Sequence, residues 1–300
     1  MDVRTLSRSA LAAVGVAAAL AACGSSSTST SSGGGAATTA DTATAAVRAE
    51  VPAAVRSRGT LSVAADASYA PNEFIDTDGS TVIGMDADLA KALGQVMGLS
   101  VTLTNVKFDN IIPGLAGGKY DLGMSSFTDT KEREKTVDFV TYFSAGTSFF
   151  VKASGGPSIA TLDDLCGHNV SVEKGTTQLD DATKQDGTCK TAGKQGVTVL
   201  AFDDQNGANL ALQSGRADVS MADSPVAAYQ VKLNAAFKIS GQPYGTAPYG
   251  IAIPKGNGMA QPILDALKLL VAGGTYTQIL NQWGISAGAI TAPVINGATS

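Results

Sequence analysis

The chain of 300 residues is long enough for one large domain or for two of ordinary size, and its composition, 44% hydrophobic and 16% charged, is globular. Its formal net charge is −5. This acidic balance argues against a nucleic-acid partner, because neutralising phosphates requires a basic face.

The N-terminal segment has the features of a lipoprotein signal peptide. Two arginines precede thirteen small apolar residues (10–22), a run too short to span a bilayer, which takes about 20 residues. The run ends in Leu-Ala-Ala-Cys (20–23), which looks like a bacterial lipobox. We therefore expect residues 1–22 to be a cleaved signal peptide and Cys23 to carry lipid on the outer face of the bacterial cytoplasmic membrane. An ordinary secretory signal with an incidental cysteine is the alternative.

A segment of low complexity follows. Residues 24–46 are nearly all Gly, Ser, Thr and Ala, and Asp41 carries their only charge. Such a composition cannot bury a core and behaves as a flexible linker. We therefore predict a flexible tether over residues 23–54, between the lipidated cysteine and a folded core.

The core alternates short apolar strands with helical patterns in two successive sets. This alternation predicts doubly wound parallel sheets, one for each set. The first set has predicted strands at 61–65, 101–106 and 121–125 and predicted helices at 86–97 and 110–116. The second set has predicted strands at 169–173, 197–202 and 217–222 and predicted helices at 177–184, before 212 and at 225–233.

The two sets also resemble each other in sequence. LAGGKYDLGMSS (115–126) and LQSGRADVSMAD (212–223) share a leucine, a glycine, a basic residue, an aspartate and a methionine at the same helix–turn–strand junction. This match indicates duplication of one lobe. Because ligands of open α/β sheets bind beyond the carboxyl ends of strands, Ser125, Ser126 and Asp223 should face a cleft between two lobes.

A bank of hydroxyls between residues 125 and 130 runs directly into five consecutive charges, residues 131–135. The pattern predicts a helix capped by Thr128 or Thr130, whose free amides would form an anion site. Arg133 could fork onto a carboxylate there. The alternative is a solvated helix face that follows a polar turn.

Acidic and aromatic side chains complete a site for a zwitterion. Asp66 directly follows the first predicted strand, and Tyr69 comes three residues later. Asp66 could take an ammonium from one lobe and Asp223 from the other, while Tyr69 could stack over a side chain. An acidic pair that faces a basic and hydroxyl cluster is complementary to a zwitterion.

The cysteines predict one disulfide. Of the three in the chain, lipid on Cys23 would leave Cys166 and Cys189, and two thiols in an oxidising compartment pair with each other. With a single histidine, His168, and no Cys-x-x-Cys pair, we expect neither a metal site nor a cofactor.

Six motifs of the core carry a family resemblance. They are GTLSVAADASYAPNEF (59–74), IGMDADLAKAL (83–93), DNIIPGLAGGKYD (109–121), MSSFTDTKERE (124–134), VEKGTTQ (172–178) and ADVSMADSPVAAY (217–229). Together they resemble the polar amino-acid-binding proteins of ABC importers, the extracytoplasmic solute-binding proteins of the family-3 type. The resemblance covers roughly residues 57–285.

The resemblance implies a fold with two lobes. This is the α/β periplasmic-binding-protein fold of type II, in which each lobe is a doubly wound sheet and the chain crosses between lobes twice. The crossings are expected near 145–147 and 244–249, and the helical segments 259–271 and 275–284, with Trp283, should pack back on the first lobe. The expected boundaries are 55–145 with 247–287 for lobe 1, 146–246 for lobe 2 and 288–300 for a C-terminal tail.

The resemblance also implies roles for residues at matching positions. An aspartate from each lobe would bind the amino group, and an aromatic ring would stack on the side chain. Hydroxyls, an arginine and the start of a second-lobe helix would bind the carboxylate; these residues are Ser126, Thr128, Arg133, Thr177 and Gln178. The full set that we expect to bind ligand is Asp66, Tyr69, Phe108, Ser125, Ser126, Thr128, Arg133, Glu173, Thr177, Gln178 and Asp223.

Two positions bear on which side chain is bound. Asn72 follows Pro71 where many relatives have phenylalanine, so one apolar wall of the pocket is expected to be missing. Glu173 stands at a position that touches the ligand side chain in relatives and, with Asp86 nearby, favours a cationic or amide side chain. The alternative is that Glu173 pairs with Lys174 or faces solvent.

These observations predict a monomeric, non-enzymatic lipoprotein that binds a polar L-amino acid and delivers it to the permease of an ABC importer. One alternative is a cleft enzyme of the same fold, such as a lyase resembling the cyclohexadienyl dehydratases, with Glu173 as its acid. The other is a ligand sensor that signals through a membrane partner.

Overall fold

The computed structural model describes residues 34–299 of the chain. The expected signal peptide and the lipidation of Cys23 lie outside these residues. Between residues 34 and 299, no helix combines the length and the apolar character that crossing a bilayer requires.

The described residues form alternating helices and strands, with a two-lobed arrangement. The helices are α1 (Gly34–Glu50), α2 (Ala53–Arg58), α3 (Met85–Met97), α4 (Phe108–Ala116), α5 (Thr177–Thr191), α6 (Gln205–Ser214), α7 (Ser224–Leu233), α8 (Ala260–Ala272) and α9 (Thr275–Trp283). The strands are β1 (Thr60–Ala65), β2 (Ser68–Tyr69), β3 (Glu73–Ile75), β4 (Val82–Ile83), β5 (Ser100–Asn105), β6 (Leu122–Gly123), β7 (Val137–Lys152), β8 (Asn169–Glu173), β9 (Thr198–Phe202), β10 (Val219–Asp223) and β11 (Phe237–Pro254).

Two long strands join the lobes. The main sheet has the order β5-β1-β6-β11-β7-β10-β8-β9, and β7 and β11 are antiparallel partners along nearly their whole length. The lobe sheets are therefore not separate, because both contain these two strands. The register of the pair shifts between Ser240 and Tyr244 and again between Tyr244 and Ala247, in the region where a hinge crossing is predicted.

Each lobe has the predicted parallel core. In lobe 1, β1 pairs in parallel with β5 and β6, and in lobe 2, β8 pairs in parallel with β9 and β10. α8 and α9 bury apolar side chains in the lobe 1 core, where Trp283 packs and donates from Nε1 to Asp88 at 2.9 Å. The two-lobed α/β fold predicted from the sequence is confirmed.

The prediction of a flexible tether is wrong for residues 34–54. They form α1 and the start of α2, and Val47 and Val51 are buried in the lobe 1 core. Arg48 donates to the carbonyls of Gln95 and Val96 at the end of α3. Alanine is the strongest helix former, and two valines spaced four residues apart, Val47 in α1 and Val51 directly after its end, give the segment an apolar stripe to bury. The low complexity of the segment concealed both signals.

The predicted helix at the charge run is also wrong. The segment contains only a 3-10 turn over Arg133–Lys135, because β7 begins at Val137 and leaves no room for further turns. Thr130 nevertheless accepts from the Arg133 amide at 3.2 Å, as a cap would. Lys131 and Lys135 pair with glutamates three residues away at the surface.

The disulfide prediction is confirmed. Cys166 and Cys189 are bonded, with their Cα atoms 5.7 Å apart, and the bond fastens the end of α5 to the turn before β8. Cys189 is buried in the lobe 2 core.

We expect loss of this disulfide to destabilise the protein. The chain-entropy model gives about 3–4 kcal/mol for a loop of this length, which corresponds to a fall in Tm of about 6–16 °C. Scanning calorimetry of the Cys166→Ser, Cys189→Ser double variant measures the shift. Dithiothreitol should lower the Tm of the parent protein similarly and leave that of the variant unchanged. Two free thiols in the unreduced parent protein would contradict the assignment.

Candidate functional site

A cavity lies between the lobes. All eleven residues predicted to bind ligand line it, and Glu73 and Thr176 line it as well. The lining residues are Asp66, Tyr69, Glu73, Phe108, Ser125, Ser126, Thr128, Arg133, Glu173, Thr176, Thr177, Gln178 and Asp223.

The sheet topology brings these residues together. Asp66 directly follows β1, Ser125 follows β6 closely, and Glu173 and Asp223 are the last residues of β8 and β10. The carboxyl ends of parallel strands meet at one edge of a sheet, and the two lobes turn these edges toward each other. The first residues of α4 and α5, which begin beyond the same edges, complete the wall.

Arg133 provides the positive charge of the cavity. Its guanidinium lies 5.5 Å from the ring centres of Phe108 and Phe127, and Nη1 donates to the carbonyl of Thr128 at 2.8 Å. Nη2 donates to the carbonyl of Gly175 in lobe 2 at 2.9 Å. Burial lowers the Arg133 pKa to about 10, so the group stays cationic at neutral pH.

The start of α5 lies on the lobe 2 side of the cavity. Thr176 caps this helix by accepting from the Leu179 amide at 3.2 Å, and Thr177 and Gln178 form its first turn. Helix N-termini attract anions through their free amides. Arg133 and the start of α5 therefore form an anion site with one part from each lobe.

Asp223 occupies a buried polar pocket near the hinge. Its carboxylate accepts from the Tyr249 hydroxyl and from Gln178 Nε2, each at 2.7 Å, and its amide donates to the Tyr69 hydroxyl at 2.9 Å. Burial raises the pKa of Asp223 to about 6. A cationic group in the cavity would favour its ionised form.

Glu173 and Asp66 form a second acidic pocket. Glu173 is 3% exposed, and its Oε1 atom has no hydrogen-bond donor among the described residues. Burial raises the Glu173 pKa well above its usual range, and the neighbouring Asp66 carboxyl raises it further. Burial likewise raises the Asp66 pKa, although Asp66 accepts from the Phe108 amide at 3.0 Å.

The alternative environments considered for Glu173 are wrong. Lys174 pairs with Asp203 at 2.5 Å, and Glu173 points inward instead of toward solvent. The expected proximity of Asp86 to the ligand side chain is also wrong, because Asp86 does not line the cavity. It lies behind the serines, where it accepts from the Ser126 amide and the Tyr142 hydroxyl at 3.0 and 2.9 Å.

Glu73 is a lining residue that sequence reasoning missed. It accepts from the hydroxyls of Ser125 and Ser126 at 3.2 and 3.1 Å, and burial, with Asp86 next to it, raises its pKa well above the usual range. Asn72 does not merely remove an apolar wall: it is fully buried and donates to Ser126 Oγ at 2.9 Å. No local pattern in the sequence separates Glu73 from a surface acid, whereas Thr176 could have been found as the helix cap that precedes α5.

The lobes are in contact around the cavity. Lys107 of lobe 1 forms an ion pair with Asp204 of lobe 2 at 2.5 Å, and Ser68 accepts from the Gln205 amide at 3.1 Å. With the Arg133–Gly175 bond described above, these contacts close the cleft over the cavity.

Comparison with known proteins gives a consistent result. Residues 61–286 match the profile of the bacterial extracellular solute-binding proteins, family 3. The arginine-binding protein ArgT of Corynebacterium glutamicum is 33% identical over 83% of this chain and 82% of its own length. A putative ABC transporter arginine-binding protein 2 of Escherichia coli is 32% identical over 75% of this chain and 90% of its own length.

Solved structures agree. An ancestral arginine-binding protein bound to arginine is 40% identical, with a TM-score of 0.70, and the match covers 75% of this chain and 98% of that one. The profile match spans well over half of the chain. The chain therefore belongs to the bacterial extracellular solute-binding proteins of family 3.

Proposed function

We propose that this solute-binding protein takes an amino acid with a cationic side chain, with L-arginine as the favoured ligand, and passes it to an ABC importer. The observation that carries the choice of side chain is the buried Glu173 Oε1, which has no donor among residues 34–299 and lies beside Asp66. A buried acceptor without a donor is costly, and a ligand cation would satisfy it.

The charges of the cavity match the three charges of arginine one by one. The α-carboxylate would lie between Arg133 and the start of α5, and the α-ammonium would lie against Asp223. The guanidinium would then reach Glu173 and Asp66. This arrangement moves Asp66 from the amino group, where the resemblance had assigned it, to the side chain. The reason is that the Asp66 carboxyl raises the pKa of Glu173, which lies beside it, whereas the Arg133 charge lowers the pKa of Asp223.

Aromatic side chains would hold the aliphatic stem of the ligand. Tyr69 and Phe108 are 7% and 8% exposed and line the cavity. Phe108 is itself stacked on Phe127, with ring centres 4.4 Å apart, so its position is fixed before the ligand arrives. Fixed aromatic walls around a few polar groups are typical of small-molecule sites.

The relatives support transport over catalysis. Both relatives described above are named as arginine-binding proteins, and the name of one assigns it to an ABC transporter. We propose that the ligand leaves the cleft unchanged and that Glu173 binds a side chain and does not act as a catalytic acid. NMR of the bound ligand after prolonged incubation tests this, with a cyclohexadienyl acid as a second probe. Conversion of either compound would favour the lyase alternative.

Glutamine is the second candidate ligand. Burial favours a neutral Glu173, and a neutral carboxyl can both donate to and accept from an amide. Thermal shift and calorimetric titration with arginine, lysine and glutamine at pH 7.5 would rank the candidates.

The Glu173→Gln variant tests the side-chain assignment. It should weaken arginine binding at least tenfold, because it removes the charge that faces the guanidinium, and should change glutamine binding less than threefold. Glu132→Gln, on the exposed surface, is the matched control and should change neither affinity. Equal effects of Glu173→Gln on arginine and glutamine would contradict the assignment. Titration calorimetry gives all of these affinities.

Binding should depend on pH through the buried carboxyls. Burial raises the Asp223 pKa to about 6, and a bound cation would lower it, so binding releases protons below about pH 7. Arginine affinity should therefore rise as the pH increases from 5 to 7 and level off above. Calorimetry in two buffers of different ionisation enthalpy counts the protons. An affinity independent of pH over this range would contradict the prediction.

The stability of the empty protein should show the opposite trend. A carboxyl whose folded pKa is raised contributes stability that is present below its unfolded pKa, near 4, and is lost as the pH rises through about 6. The Tm of ligand-free protein should therefore fall from pH 5 to pH 7, and saturating arginine should reduce or reverse the fall.

We also propose that a lipid on Cys23 anchors the protein to the membrane, where it would be close to the permease that receives the ligand. Mature protein should begin at Cys23 and partition with membranes, because two acyl chains anchor stably where one is marginal. Cys23→Ser should release the protein or block its processing, whereas Ser25→Ala should not. Membrane fractionation and intact-mass analysis measure both outcomes, and unchanged membrane association of Cys23→Ser would contradict the lipobox.

A further inference from the structure

Residues 288–298, named here the strap, lie beyond the part of the chain that matches the family. They were expected to form a tail, but they pack against lobe 1. Ile290 donates through its amide to the Tyr276 hydroxyl, the Thr141 amide donates to Val294 O, and the Asn296 amide donates to Phe139 O, each at 2.9 Å. The strap thus covers the side of β7 that β11 leaves unpaired in lobe 1. An uncovered strand edge can pair with another chain and cause aggregation.

The end of the strap reaches two acids beside the anion site. The Gly297 amide donates to Asp129 Oδ2 at 2.8 Å, and the Ala298 amide donates to Glu134 Oε1 at 3.2 Å. Asp129 follows Thr128 directly and Glu134 follows Arg133 directly. The strap therefore holds both ends of the short segment that carries Arg133.

Asp129 is in a position to compete for Arg133. Asp129 is fully buried, and its Oδ1 has no donor among the described residues. Burial and the neighbouring Glu134 raise the pKa of Asp129 to about 6, whereas Lys131, which pairs with Glu134 at the surface, lowers it. Arg133 lies within electrostatic range of Asp129. If Asp129 lost the Gly297 amide, the Arg133 guanidinium would be the buried cation available to replace that donor.

We infer that the strap is a positioning element for amino-acid binding: its amides at residues 297 and 298 hold Asp129 and Glu134, so that Arg133 stays directed into the cleft toward the ligand carboxylate. The inference rests on the proposed function, because it assumes that an amino acid binds with its carboxylate on Arg133. A strap that only covers the edge of β7 would affect stability, but it would not distinguish ligands that have a carboxylate from ligands that lack one.

The test compares L-arginine with L-argininamide, which lacks the carboxylate. A variant that ends at residue 288 should bind arginine at least tenfold more weakly than the full chain, whereas its affinity for argininamide should change less than threefold. Adding Asp129→Asn to the shortened chain removes the competing charge and should recover at least threefold of the arginine affinity. Calorimetry or competition binding gives both constants.

Point variants allow the same comparison if the shortened chain fails to fold. In Gly297→Ala the new Cβ would lie 2.8 Å from Thr141 Cγ2 and from Val294 Cγ2, so either these side chains or the strap must shift, and we expect the Gly297 amide to move away from Asp129. Ala298→Pro removes the donor to Glu134, and Ala298→Gly is its control because it keeps the amide. The first two variants should reproduce the selective loss of arginine affinity, and Ala298→Gly should bind both probes like the parent protein.

Equal losses for both probes, or no loss for either, would overturn the inference and leave the strap as a cover of the strand edge. Failure of the full chain to bind arginine is a separate result that overturns the proposed ligand. The strap would then be tested with the amino acid selected by thermal shift and its carboxamide, and the same comparison would decide.

Discussion

The pairing of β7 with β11 is the constraint on which the rest of the molecule depends. The two strands are antiparallel partners from Phe237–Lys152 to Pro254–Val137, so one ladder of hydrogen bonds passes through both lobes. It sets the distance between the lobes and turns the carboxyl ends of β1 and β8 toward one cavity. The register shifts around Tyr244 place the irregular backbone between the lobes, where a hinge needs it. Tyr249 lies on the same strand and donates to Asp223, which couples the hinge to the site.

Burying carboxyls in the cleft carries an electrostatic cost that a ligand can remove. Asp66, Glu73, Glu173 and Asp223 line the cavity with one arginine, and burial raises the pKa of each of these carboxyls. Glu73 already accepts hydrogen bonds from two serine hydroxyls. A ligand cation would therefore stabilise mainly Asp223 and the Glu173–Asp66 pocket. Two acidic centres in a cavity that aromatic side chains also line fit the proposed ligand, which has two cations joined by an aliphatic stem. The proposed choice of ligand and the closure of the cleft around it therefore both depend on these buried carboxyls.

Sequence reasoning predicted what depends on local order along the chain. Asp66, Ser126 and Asp223 were found because parallel strands end at one edge, and this rule needs only the strand pattern. Glu73 could not be found in this way, since its role comes from contact with the serines across the fold. α1 was missed because its apolar stripe consists of few residues in an Ala- and Thr-rich background. The strap has no periodicity of its own, and its backbone follows the edge of β7 that it covers.

Two segments outside the family match, α1 and the strap, have one property in common. α1 packs on α3 and α8, and the strap packs on β7 and α9 next to them, so both add contacts to lobe 1. Lobe 2 gains a disulfide within itself and no such additions among the described residues. The lipid proposed at Cys23 would precede α1 in the chain, and α1 packs on lobe 1. Opening of the cleft would move lobe 2, with Glu173, Gln178 and Asp223, away from the lobe that carries both α1 and Arg133.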